Sequence, residues 1–174
     1  MNVLLKNIYI HPILSTLIKN DVTIYGKFIR SVVFEDKTFS EYVSNGSIIN
    51  CYAKLIFKDI IERDINKYLI KTHRLAHSSF NSTRCEFITY ILTHNDLELI
   101  LDFSYIKSPI SYYLVSFRAE LNVHFDIDCL YVNRNELGML KINNLYNTEP
   151  CPLYKIIENI SEKKYKSLSK NPII

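Results

Sequence analysis

Tryptophan is absent from this sequence, glycine occurs only three times, and no two cysteines stand at C-x-x-C spacing. With so little glycine, few positions can take positive φ freely, so Gly26, Gly46 and Gly138 each mark a turn or a close approach. Zinc knuckles and ribbons need ligands paired at short spacing, and Cys51, Cys85, Cys129 and Cys151 are too scattered to supply them. Isolated thiols of this kind fit buried, reduced side chains in a reducing compartment. The chain also lacks any apolar run near the ~20 residues of a membrane span. Its opening, MNVLLKNIYIHPIL, lacks the basic-then-apolar plan of a secretory signal, so an intracellular protein away from membranes is expected. A strong excess of one charge is missing too. The formal balance is +3, whereas a dedicated duplex-DNA binder shows a larger basic surplus gathered on one element. Finally, no serine sits in G-x-S-x-G and no G-x-x-x-x-G-K-[ST] loop exists, which excludes two common nucleophile and phosphate-loop signatures.

What is present is enough to fold. A chain of 174 residues with 48% hydrophobic and 22% charged side chains can bury a core and is not a disordered polymer. No repeat or Pro/Gly/Ser linker divides it, so we expect one domain over residues 1–160 and a basic tail over 161–174.

Local pattern predicts the elements. Ile13, Leu14, Leu17 and Ile18 recur at helical spacing behind Pro12, which suits a first helical turn. Val22 to Tyr25 reads as a short buried strand ending at Gly26, and Phe28, Ile29, Val32 and Val33 resume helical spacing. Thr38 with Glu41 three positions on forms a capping box for another short helix. After the Asn45-Gly46 turn, Ile48 to Leu55 predicts a strand. Lys58 to Lys71 predicts an amphipathic helix with Ile60, Ile61, Ile65, Tyr68 and Leu69 on its apolar face. Cys85 to Thr93 and Leu97 to Tyr105 form a hairpin about His94-Asn95-Asp96. Cys129 to Val132 and Leu137 to Ile142 form a second hairpin, joined by residues 133–136, before a last helix around Tyr154 to Ile160. The expected class is α+β, a mixed and partly antiparallel sheet with flanking helices.

Three segments could carry chemistry. In Ile24-Tyr25-Gly26-Lys27-Phe28-Ile29-Arg30, a strand ends at glycine and runs into a helix, a geometry that can offer backbone N–H groups to phosphate. The plainer alternative is a strand-to-helix turn that needs Gly26 for its φ angle. In Leu99-Ile100-Leu101-Asp102-Phe103-Ser104-Tyr105, one acid stands within an apolar strand. In Phe125-Asp126-Ile127-Asp128-Cys129-Leu130-Tyr131, Asp126 and Asp128 are expected to share a face, as a metal site needs, beside ordinary strand-entry hydrogen bonding.

In their order these segments resemble the DNA-polymerase-β-like nucleotidyltransferases, in particular nucleotidyltransferase-like proteins of giant DNA viruses. Gly26, Phe28, Ile29 and Arg30 match that family's first motif, while Lys27 departs from its small second residue. The likeness spans roughly Val22 to Ile142, and F-D-I-D-C-L-Y resembles a recurring structural segment of the viral members. It implies a nucleotidyltransferase-like sheet, with two carboxylates one residue apart on the strand after the first motif and a third on a later strand. Such a pair holds two divalent metals from one face of the strand. At the matching positions stand Ile48, which cannot ligate Mg²⁺, and neutral Asn50, with Asp102 in place of the third acid.

The resemblance therefore implies a degenerate member whose remnant site is Gly26, Lys27, Ile48, Asn50 and Asp102. Such a pseudoenzyme needs no cofactor and acts by binding a protein partner, or RNA or DNA, in the cytoplasm or a viral factory. The competing expectation is an active enzyme, using Mg²⁺ and a nucleoside triphosphate, with Asp102, Asp126 and Asp128 as its acids. Lys27 and Arg30, together with Lys163, Lys164, Lys166 and Lys170, are the candidate phosphate contacts. His73 and His77 would share a face only if the preceding helix continued through them, and no third ligand accompanies them.

Overall fold

The computed structural model describes residues 11–35, 37–74, 85–106, 125–128, 130–134, 140–144 and 152–165. Helix α1 (Pro12–Lys19) begins at His11, whose side chain accepts from the Ile13 N–H, with Pro12 in the first turn. Its Ile13, Leu14, Leu17 and Ile18 are fully buried, as the spacing predicted. Strand β1 (Thr23–Tyr25) leads through Gly26 into the short helix α2 (Lys27–Ile29), which widens into a π-helical turn over Arg30–Phe34. Helix α3 (Phe39–Ser44) is capped by the Thr38 hydroxyl, which accepts from the Glu41 N–H. Strand β2 (Ile48–Lys54) follows, then a 3₁₀ turn at Leu55–Phe57 and helix α4 (Lys58–Ile65).

Here the sequence expectation needs correction. The helix predicted to Lys71 stops at Ile65, passes through a 3₁₀ turn at Asn66–Tyr68, and becomes strand β3 (Leu69–Arg74). Helical spacing at Tyr68 and Leu69 was fortuitous: pairing with a neighbouring strand satisfies this backbone better than two more helical turns. His73 therefore lies on a strand, and His77 is outside the described residues.

Strands β4 (Cys85–His94) and β5 (Leu97–Ile106) form the expected hairpin, with His94 opposite Leu97. Asn95 and Asp96 both have positive φ, 51° and 64°, the twist that a two-residue hairpin turn demands. A 3₁₀ turn at Asp126–Asp128 precedes strand β6 (Leu130–Arg134), which pairs antiparallel with β7 (Leu140–Asn144). Asn133 and Arg134, expected in the connecting turn, belong to β6. Helix α5 (Leu153–Ser161) is the last element among the described residues.

The seven strands form one mixed sheet in the order β3-β4-β5-β2-β1-β6-β7. Every neighbouring pair is antiparallel except β2 and β5, which run parallel. Alternation along the strands separates two faces. Ile49, Cys51 and Ala53 of β2 and Leu99, Leu101, Phe103 and Tyr105 of β5 point into the main core. Helix α4 covers this face: the Tyr90 hydroxyl donates to Glu62 at 2.7 Å and lies 2.8 Å from the Tyr105 hydroxyl. Arg74 reaches the same Glu62 carboxylate at 3.0 Å, so one acid ties the helix to β3 and β4. Cys51 is buried and unbridged; the side chains of the other three cysteines lie outside what is described. No helix among the described residues is long and apolar enough to cross a membrane.

Candidate functional site

The sheet register decides which of the candidate residues meet. Tyr25 of β1 stands opposite Asn50 of β2, and Asn50 stands opposite Asp102 of β5. Asp102 in turn faces Thr89 of β4, whose hydroxyl lies 3.4 Å from its Oδ1, and Thr89 faces His73 of β3. On the other side Tyr25 faces Tyr131 of β6. A single row therefore crosses the second face of the sheet, with Asn50 and Asp102 half-buried at its middle. Ile48 precedes Asn50 by two residues, shares its face and is 47% exposed.

Gly26 follows Tyr25 at the end of β1, beside Asn50. Its φ of 92° and ψ of −152° lie in a region that essentially only glycine occupies. A Cβ there would sit 3.4 Å from Asn50 Nδ2 and 4.0 Å from the Asp128 carbonyl oxygen. Both are ordinary contacts, so it is the backbone angles that call for glycine. Its own N–H, however, donates to the Leu130 carbonyl at 2.9 Å, so that group is already used in joining β1 to the start of β6.

The remnant set of Gly26, Ile48, Asn50 and Asp102 is accordingly one spatial cluster, with Lys27 exposed beside it. Chemically, among the described residues Asp102 is the one acid at its centre. Ile48 offers no ligand, and the Asn50 amide carries no charge to offset a second cation.

The other acids are occupied elsewhere. Because Asp126, Ile127 and Asp128 form a 3₁₀ turn and not a strand, the two carboxylates do not share a face. Asp126, almost wholly buried, accepts from Asn159 Nδ2 of α5 at 2.7 Å. Asp128 turns the other way, to Arg30 Nε at 3.2 Å. Asp102, Asp126 and Asp128 are therefore not brought to one point as the competing expectation required. Among the described residues no group of three or more His, Cys, Asp or Glu could hold a metal ion.

Arg30 is likewise engaged. Its Nε contacts Asp128 and also Glu35, at 3.5 Å, and its side chain is largely buried, so it is not offered at the surface as a phosphate contact. The π-helical turn after α2 begins at Arg30 itself. Burial pushes the Asp128 carboxyl above its ordinary value, with the Arg30 and Lys27 charges opposing the rise. The Tyr42 hydroxyl of α3 is raised as well, first by burial and then by the Asp128 charge, and it donates to the Ile48 carbonyl at 2.8 Å. That bond pins the first residue of β2. Of the tail, Lys163 and Lys164 are exposed, with Lys164 3.2 Å from Glu162, while Lys166 and Lys170 lie outside the described residues.

Sequence reasoning missed the Arg30–Asp128 pair and the neighbours Thr89 and Tyr131, and it weighed His73 only with His77. Nothing in the linear pattern relates residues 30 and 128; only the pairing of β1 with β6 brings them together.

By fold, then, this is an α+β protein with a seven-stranded mixed sheet and a one-acid polar cluster at the end of β1. The chain matches no protein-family model, and no curated protein matches it.

Proposed function

We propose that the chain is a nucleotidyltransferase-like pseudoenzyme: a sheet of that kind which has lost the metal-holding acid pair and works by binding a partner. The observation that carries this reading is the register placing Asn50 between Gly26 and Asp102. Those are the places that the resemblance assigns to a metal-binding acid, the glycine turn and the third acid. The positions are thus neighbours in space, and two of the three acids are missing. With only Asp102 available, a triphosphate and two cations would meet too little negative charge to be held.

The reading is tested by restoring what is missing. Calorimetry of the wild-type protein with Mg²⁺ and a nucleoside triphosphate should show no micromolar, metal-dependent binding. The double change Ile48→Asp and Asn50→Asp should create a site for Mn²⁺ or Mg²⁺ between β2 and β5. Metal-dependent binding by wild type, together with transfer of labelled nucleotide, would instead establish an active enzyme.

A further inference from the structure

Helix α1 carries four fully buried side chains, yet its N-terminus is held by an imidazole. His11 Nδ1 accepts the Ile13 N–H at 3.2 Å, a bond that only the neutral ring with its proton on Nε2 can make. The same ring rests on Phe39 of α3, centroids 4.3 Å apart, and meets the His94 ring edge-on at 5.3 Å. His94 ends β4 at the hairpin turn and lies edge-on to Tyr68, at 5.7 Å, from the turn before β3. Two imidazoles therefore join α1, α3 and the β4–β5 hairpin at one point.

From these observations we infer that His11 and His94 form a proton-operated latch, which holds the first turn of α1 against the β4–β5 hairpin at neutral pH and releases it on acidification. A proton on Nδ1 would turn the cap acceptor into a donor aimed at another donor. It would also place a cation against the His94 ring. Among the described residues the neighbours offer no relief. From α3 His11 meets the Phe39 ring; from the hairpin it meets His94; and Tyr68 adds only a hydroxyl-bearing ring. Glu41, Asp96, Glu98 and Lys67 lie on these same elements, but among the described residues His94 is the one charge that acts on His11.

The direction of the pH effect follows. Burial first, and the His94 charge second, lower the His11 pKa from 6.5 to about 4. The opened first turn regains the ordinary value and so binds more protons than the closed one as pH falls through 6.5. The latch is then fully closed above pH 6.5 and weakens progressively down to about pH 4. Between pH 7 and pH 5 those two values favour opening by about twentyfold, and partial solvation of the ring reduces this to about tenfold.

Hydrogen exchange read by NMR tests the latch. After correction for intrinsic rates, the Ile13 and Ser15 amides should exchange about tenfold faster at pH 5 than at pH 7, relative to core amides of β5. His11→Asn keeps a cap acceptor that does not titrate, so it should hold these amides equally at both pH values. His94→Gln should reduce the wild-type difference. The idea is overturned if wild-type α1 amides show no pH dependence beyond the core, or if His11→Asn opens in acid as wild type does. Should His11→Asn not fold, titration of the His11 imidazole C–H signals in wild type decides: its midpoint must lie well below the ordinary 6.5, and a midpoint at 6.5 refutes the latch.

Discussion

Gly26 shows what one residue can constrain. Its backbone angles, and not the space around it, make it irreplaceable, since a Cβ would meet Asn50 at an ordinary contact distance of 3.4 Å. We expect Gly26→Ala to destabilise the fold by about 1–3 kcal/mol in denaturant unfolding, from backbone strain. Adding Asn50→Ala should not relieve that loss. Recovery in the double variant would mean that crowding, not the dihedral angle, fixes glycine there. At the same scale, the inability of Ile48 to ligate a cation, and the lack of charge on Asn50, were legible because side-chain chemistry is local: an isoleucine cannot ligate a cation in any fold. That Asn50 touches both neighbours was not legible, because register belongs to pairs of strands.

Among the elements, α5 is held by the Asn159–Asp126 bond, in which both side chains are nearly out of solvent. Replacing Asn159 with Leu would leave a buried carboxylate without its amide donor, at a cost of about 2 kcal/mol read from the urea midpoint. An unchanged midpoint would show that Asp126 is held by its other contacts and that α5 docks through Ile156 and Ile160 alone. This bond also bears on the D-x-D string, whose alternatives were a metal site and ordinary hydrogen bonding. Alternation predicts a shared face only for extended backbone, and the 3₁₀ turn sends the two acids to α5 and to Arg30. The end of α4 failed for a related reason. Apolar spacing over residues 60–69 fits a helix, but its last part is a turn and a strand that pairs with β4, and periodicity cannot report pairing.

For the whole molecule, the open question on the proposed reading is the chemistry of the partner. A nucleic-acid partner predicts that replacing Lys163, Lys164, Lys166 and Lys170 with Ser weakens binding to single- or double-stranded RNA or DNA. Every lysine that had neutralised a phosphate should, once replaced, lower the salt dependence by about one unit. Filter binding at two salt concentrations reads both effects. Absence of binding by wild type at low salt would exclude the nucleic-acid branch and leave a protein partner. Equal binding by wild type and variant would move the search to Lys27, which stays exposed, and away from Arg30, which does not.

By itself the sequence determined the class of fold, most of its elements and the chemistry of the side chains at positions 48, 50 and 102. Those properties follow from composition, from the spacing of apolar residues along one chain and from the chemistry of single side chains. Thr38 caps its helix and Asn95-Asp96 turns its hairpin because each acts within a few residues of itself. Only the tertiary structure decided that β2 runs parallel to β5, so that positions 50 and 102 face each other across 52 residues of chain. It also decided that Arg30 is spent on Asp128, and that two histidines 83 residues apart meet at the head of α1. Such contacts arise from the order and register of strands. The whole sheet sets these as it buries its apolar face, and no short stretch of sequence contains them.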